Sequence, residues 1–94
     1  MFGKKSDEEK IDEYGDNLLT SFESGDYRES LKWLDKLLEI QPNDETVLGN
    51  KGVALCKLEE YEESLKWLDK ALHVKPDYLF ALFYKAEALR QLEK

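Results

Sequence analysis

The sequence has little of several features that small domains commonly use. A single cysteine, Cys56, stands among 94 residues, which leaves no partner for an internal disulfide or a thiolate metal cage and favours a reducing compartment, by default the cytoplasm. The longest apolar stretches, such as residues 79–84, fall far short of the roughly 18 residues that a membrane-spanning helix needs. No apolar segment follows the basic residues near the N-terminus, so we expect no secretory signal.

Positive charge is also scarce. Fourteen Lys and Arg stand against 21 Asp and Glu, and the net charge is −7. Binding to nucleic-acid phosphates depends on a basic face that displaces counterions, so no nucleic-acid partner is expected. Length and composition together are typical of one small domain with no membrane segment.

The chain repeats itself with a period of 34 residues. The eight residues at 29–36, ESLKWLDK, recur letter for letter at 63–70. Further pairs share this offset, among them Tyr27 and Tyr61, Leu38 and Leu72, and Pro42 and Pro76. We therefore expect a charged lead-in at 1–10, repeats at 11–44 and 45–78, and a half repeat or capping helix at 79–94.

Each repeat is predicted to form two helices. Apolar residues at three- and four-residue steps give segments 31–40 and 65–74 one apolar face each, which is typical of amphipathic helices. Pro42 and Pro76 close the two repeats because proline cannot continue a helix. The pattern predicts no strand and five helices, at about residues 8–23, 27–40, 44–57, 61–74 and 78–93.

A helix–turn–helix unit of 34 residues that ends at a proline resembles the tetratricopeptide repeat. The resemblance runs from Ile11 to Lys94. Its family positions are the small eighth residue at Gly52 and Ala86, the aromatic seventeenth at Tyr27 and Tyr61, the small twentieth at Ser30 and Ser64, and the proline at Pro42 and Pro76. It implies an all-α fold, a right-handed superhelical stack of antiparallel helix pairs forming an α–α solenoid.

The first repeat departs from this pattern. Leu18 stands where the second repeat has Gly52, and polar Asn17 and Ser21 stand where the core face is expected. Gly15 lowers helix propensity by up to about 1 kcal/mol relative to alanine. We therefore expect the first helix pair to pack less closely and its first helix to fray more easily.

No group of residues in the sequence predicts catalysis. Cys56 and His73 are the only residues of their kinds, and the expected fold separates them by roughly 12 Å along the helix axis. Carboxylates at 59–63 surround a helix start, where the helix dipole favours them without any catalytic role. No phosphate loop and no zinc or calcium spacing is found, so we predict a non-enzyme without metal or cofactor.

In proteins that resemble this family, the first helices of the pairs line a concave groove that binds peptides. The candidate groove residues are Phe22, Asn50, Val53, Cys56, Phe80, Phe83, Tyr84 and Arg90. Asn50 offers an amide to a peptide backbone and Arg90 a charge at the rim. The apolar majority predicts a preference for apolar side chains or a neutral helix, with packing between repeats as an equally good explanation.

Chaperone-binding members of the family hold a C-terminal carboxylate with two asparagines, two lysines and an arginine at set groove positions. Asn50 matches one of these asparagines. The other four positions hold Gly15, Leu19, Phe80 and Tyr84. The comparison implies that a chaperone's C-terminal carboxylate is not the ligand of this groove.

The last helix is apolar on every side of its first two turns, at residues 79–84. An end helix of a repeat stack normally has a polar outer face, and an exposed apolar patch promotes association. A second copy of the chain, further repeats of a longer parent, or a partner protein would each cover it. We favour the second copy, in an isologous dimer, with Phe80, Leu82 and Phe83 at the contact.

The sequence thus predicts a protein–protein interaction module or scaffold that self-associates into an oligomer through its C-terminal helix. The first alternative is a peptide receptor that uses the groove. An alternative of another class is a purely structural protein with no ligand of its own. The expected partner is a protein or peptide, with no nucleic acid and no membrane.

Overall fold

The computed structural model describes residues 3–94. Within them lie five α-helices, α1 Asp7–Glu23, α2 Tyr27–Ile40, α3 Glu45–Lys57, α4 Tyr61–Val74 and α5 Leu79–Leu92. No strand occurs in this range. The prediction of an all-α chain with five helices is confirmed, and every helix boundary lies within one residue of the predicted one.

The charged lead-in is partly helical, because α1 begins at Asp7. The Oγ of Ser6 accepts a hydrogen bond from the backbone N–H of Glu9 at 3.1 Å, and the Glu9 carboxylate accepts one from the Ser6 N–H at 2.8 Å. This reciprocal capping box satisfies two N–H groups that would otherwise lack partners. Residues 7–10 therefore belong to the first helix, and residues 1 and 2 of the lead-in lie outside the described residues.

The hydrophobic core runs along the stack in two clusters. The first joins α1, α2 and α3 through Leu18, Leu34, Leu37, Val47 and Ala54. The second joins α3, α4 and α5 through Leu48, Leu68, Ala71 and Ala81. Since α3 contributes to both clusters, each repeat is stabilised by its neighbour, as in other repeat proteins.

The close approach of α3 and α4 depends on Gly52. A Cβ at this position would lie only 2.5 Å from Cδ2 of Leu68 and 3.2 Å from its backbone nitrogen. The Oγ of Ser64 donates a hydrogen bond to the Gly52 carbonyl at 2.6 Å. In the first repeat Leu18 fills the equivalent position, and the helices are joined instead by the buried hydroxyls of Ser21 and Ser30, 2.8 Å apart.

The turns within the two helix pairs share one backbone shape but differ in residues. Gly25 has φ 77° and Glu59, 34 residues later, has φ 63°. Only glycine adopts this left-handed conformation at little cost. Asp26 also caps α2 by accepting a hydrogen bond from the Glu29 N–H at 3.1 Å, whereas Glu60 supplies no such cap to α4.

Candidate functional site

A cavity of about 450 Å³, which we call the groove cavity, opens where the end of α3, the start of α4 and the middle of α5 meet. Cys56, Phe83 and Tyr84, three of the predicted groove residues, line it. Charged and polar side chains complete the wall, namely Lys57, Glu59, Tyr61 and Glu87. The structure thus brings part of the predicted set together around one opening.

Aromatic rings form a continuous series along the first half of α5. Tyr84 packs edge-on against Phe80 and against Phe83, with ring centroids 5.2 and 5.1 Å apart. Phe80 also contacts Tyr78 at 5.9 Å. Such pairs stabilise through their ring quadrupoles, so Tyr84 is held in place while Phe83 keeps an exposed face.

Burial and neighbouring polar groups shift the pKa values of three ionisable groups in the groove cavity. Burial, helped by the Glu87 carboxylate, raises the pKa of the Cys56 thiol. Loss of hydration and the nearby Glu59 carboxylate raise the pKa of the Tyr61 hydroxyl. Hydrogen bonds from Arg90 and Gln91 lower the pKa of Glu87. At neutral pH the thiol and phenol are therefore protonated and Glu87 is charged, which makes Cys56 a poor nucleophile.

Several predicted groove residues lie elsewhere. Val53 is buried in the core, which corrects its assignment to the exposed groove. Phe22 is half-buried and packs edge-on against Tyr27 at 5.5 Å. Asn50 is half-buried, and Arg90 is exposed and pairs with Glu87 one turn earlier.

Position in the repeat also predicts Lys57 and Glu87 in the groove wall, but it does not indicate Glu59 and Tyr61, which line the groove cavity with them. Glu59 and Tyr61 reach it because the strained turn after α3 folds back beside α5. Glu87 lies one helical turn after Phe83, a spacing that places the two on the same side of α5. The sequence holds no comparable signal for Glu59 and Tyr61.

The far side of α5 is an apolar face that no helix of the structure covers. In α3 the matching residues pack against α4: Leu48 is 3% exposed and Leu55 is 4% exposed. Their equivalents Leu82 and Leu89 are each 42% exposed. We call Leu82, Ala86 and Leu89 the open face, since all three are exposed and recur at helical spacing.

The predicted self-association residues divide between two sides of α5. Leu82 lies on the open face, while Phe80 turns toward Tyr84 and the groove, because residues two apart do not share a helix face. Phe83 lies between these sides and is 63% exposed. Leu89, which the sequence prediction omitted, completes the open face two turns after Leu82.

The opposite end of the stack is polar. Val47 and Ala54 of α3 pack on α2 in the first core cluster, and Ala81 takes the same place against α4. The equivalent positions of α1 carry Glu13 and Thr20, both exposed. The stack therefore ends in a polar face at α1 and an apolar face at α5.

A stack of helix pairs with a lined groove is the architecture of a helical-repeat interaction module. Residues 21–92 match the family model described as tetratricopeptide repeat. The chain belongs to the tetratricopeptide repeat family, whose members are protein–protein interaction modules rather than enzymes. In a sequence comparison, no curated protein matches it.

Solved structures share the fold at low sequence identity. MamA residues 41-end from Desulfovibrio magneticus RS-1 align with TM-score 0.85 and 25% identity over 88% of this chain and 47% of that one. The TPR2B domain of yeast Sti1, in a complex with pHsp70, aligns with TM-score 0.83 and 24% identity over 88% of this chain and 66% of that one. The chain thus spans less than two thirds of either.

None of the helices within residues 3–94 has the length and apolar character needed to cross a membrane. In the same described range, His, Cys, Asp and Glu side chains form no group of three placed to hold a metal ion. Cys56 and His73 line different cavities.

Proposed function

We propose that this interaction module binds a second copy of itself through the open face of α5. The main support is the contrast between two equivalent residues, Leu48 and Leu82. The next helix covers Leu48, whereas Leu82 is exposed. Burying apolar surface contributes about 25 cal/mol per Å². A helix that covers the open face would gain this contribution, as α4 does on α3.

The two ends of the stack favour a two-fold dimer over a filament. Head-to-tail stacking would place the apolar open face on the polar end formed by Glu13 and Thr20. An isologous contact instead pairs the open face with itself and closes after two copies. Ala86, between Leu82 and Leu89, leaves room for two helices to approach to about 8–10 Å.

The contact is expected to be modest in size. Two single helices bury less than the roughly 1,200 Å² of a standard stable interface, so association in the micromolar range is expected. Leu82→Glu places a charge at its centre. Light scattering should give a mass that rises from monomer toward dimer as the native chain is concentrated from about 5 to 500 μM, and the monomer mass for the variant throughout.

A matched control distinguishes association through the open face from nonspecific association through any exposed leucine. Leu19 on α1 is also an exposed leucine, at 58%, and Leu19→Glu should leave the dimer intact. Both variants should retain the helical circular dichroism signal, since the replaced side chains are exposed. A native chain that is monomeric throughout this range, or an equal loss of mass in the two variants, would contradict the proposal.

Peptide binding in the groove is the second candidate function. It is supported by the groove cavity, which joins an exposed aromatic, Phe83, to a charged wall, and by the yeast Sti1 domain of the same fold, which forms a complex with pHsp70. Phe80 and Tyr84 stand where chaperone-binding members carry lysine and arginine, so we expect a different ligand. Titration with apolar helical peptides should give saturable binding that Phe83→Ser weakens.

We keep the cytoplasm as the expected location.

A further inference from the structure

A second cavity, of about 430 Å³, shares no lining residue with the groove cavity. We call it the outer cavity. Its walls come from α2 and α4, the second helices of both repeats, from the start of α3, and from the loop between the repeats, which supplies Pro42 and Asn43. Its volume falls within the range of ligand pockets, about 300–1,000 Å³.

The walls of the outer cavity are mainly apolar. Leu38 of α2, Leu48 of α3 and Trp67 of α4 form its inner part, and Val74 stands at the edge as an exposed β-branched side chain. Such a surface accepts a bulky apolar side chain of a partner. Burial of an anchor residue in a pocket of this kind is typical of binding hot spots.

The rim of the outer cavity carries one charged side chain, that of Lys70. Lys70 and His73 line it, and no carboxylate is among its lining residues. The Lys70 ammonium lies 4.2 Å from the centroid of the Trp67 ring, so it is held at the edge of the apolar wall by a cation–π contact. Within residues 3–94, Lys70 forms no ion pair with a carboxylate of the chain.

The lack of a carboxylate among the lining residues contrasts with the net charge of −7 of the whole molecule. It also contrasts with the first repeat. The two repeats are identical at 29–36 and 63–70, but Glu39 is replaced by His73 at the equivalent position and Gln41 by Lys75. The second repeat is therefore more basic than the first at this face, next to the cavity.

We propose that the outer cavity binds an acidic protein segment that inserts one bulky apolar side chain against Trp67 while a carboxylate of the segment faces Lys70. Charge complementarity selects this partner: an apolar pocket lined by Lys70 and by no carboxylate, on an acidic molecule, favours anionic segments over basic ones. This site is separate from the open face and from the groove cavity, so it does not depend on either proposed function.

The test uses Trp67 as a local probe. Trp33→Phe removes the other tryptophan, and this variant is titrated with acidic twelve-residue peptides that carry one central leucine, isoleucine or phenylalanine. Saturable change in Trp67 emission is expected at micromolar peptide. Peptides with serine at the centre, or with glutamine for every carboxylate, should bind at least about tenfold more weakly. Should Trp33→Phe not fold, backbone amide NMR shifts of the native chain replace the emission readout.

The repeat supplies a matched control for charge. Lys70→Glu should weaken the tightest peptide by about tenfold, and Lys36→Glu, at the equivalent position of the first repeat, should change its affinity less than twofold. Affinity should also fall as salt rises, because exposed charges are screened within about 8 Å at physiological ionic strength. Equal weakening by the two variants, no binding below about 1 mM, or tighter binding of the glutamine peptides would overturn the proposal.

Discussion

Repeats 1 and 2 contain the same eight-residue segment and use it in the same way. The Trp33 indole donates a hydrogen bond to Glu29 at 3.1 Å, and Trp67 donates to Glu63 at 3.2 Å. Leu34 and Leu68 are both fully buried. The second helices of the two repeats are therefore nearly interchangeable, and the differences between the repeats arise elsewhere.

The first helices and the turns carry those differences. Repeat 2 has a close helix contact at Gly52 but a strained turn at Glu59, whereas repeat 1 has a bulky Leu18 and a relaxed turn at Gly25. Repeat 2 thus has the closer helix contact, and repeat 1 has the less strained turn. The shared period specifies the architecture, and these local exchanges set how firmly each pair is held.

The largest loss of stability is expected when Gly52 of repeat 2 is replaced by leucine, the residue that repeat 1 has at the equivalent position. Gly52→Leu would drive a side chain into Leu68, where even a Cβ would lie 2.5 Å from Cδ2. Overpacking a rigid core typically costs about 1–3 kcal/mol, and we expect about 3 kcal/mol here. Urea denaturation followed by circular dichroism measures the loss.

The matched change at an uncrowded glycine controls for helix propensity. Gly15 of α1 has no atom near the position of a Cβ, so Gly15→Leu should stabilise α1 slightly, since leucine is the better helix former. A loss for Gly52→Leu no larger than that for Gly15→Leu would contradict the close contact between α3 and α4.

A smaller effect of opposite sign is expected at the turns. Glu59→Gly should raise the free energy of unfolding by about 1 kcal/mol, because it relieves a side chain in the left-handed region. The mirror substitution, Gly25→Glu, should lower it by a similar amount. Thermal denaturation of the two variants against the native chain measures both, and shifts of the same sign would show that the turns are not equivalent.

The 34-residue period was sufficient to predict most of the fold from the sequence. Identical spacing of leucines and of Pro42 and Pro76 placed all five helices, because helix period and proline breaks are local properties of the chain. The turn at Glu59 was predicted, but not its left-handed backbone. A glutamate gives no local signal for that conformation, which the packing of α3 on α4 imposes.

The candidate site was less accessible to sequence reasoning. Phe83 and Tyr84 were placed at the groove by their positions in the repeat. Val53 looked equally suitable by spacing, yet the neighbouring helices bury it. The distinction depends on how α5 lies across α3, a tertiary relation that the one-dimensional period does not contain.

The smallest effect concerns the ion pairs between helix pairs. Lys51 contacts Asp35 at 2.6 Å, and Lys85 contacts Asp69 at 2.8 Å, at the equivalent junction one repeat later. Lys51 also lies 3.9 Å from the Trp67 ring centroid, and its side chain is mostly buried while that of Lys85 is partly exposed. An exposed pair contributes at most about 1 kcal/mol.

Replacement by methionine keeps the aliphatic stem and removes the charge. Lys51→Met should therefore cost more than Lys85→Met, by about 0.5 kcal/mol, with urea denaturation at low salt as the measurement. High salt should shrink the cost at Lys85 more than at Lys51, because screening acts most strongly on exposed charges. Equal costs at both salt concentrations would mean that burial does not distinguish the two junctions, and that the ring of Trp67 adds nothing to the first.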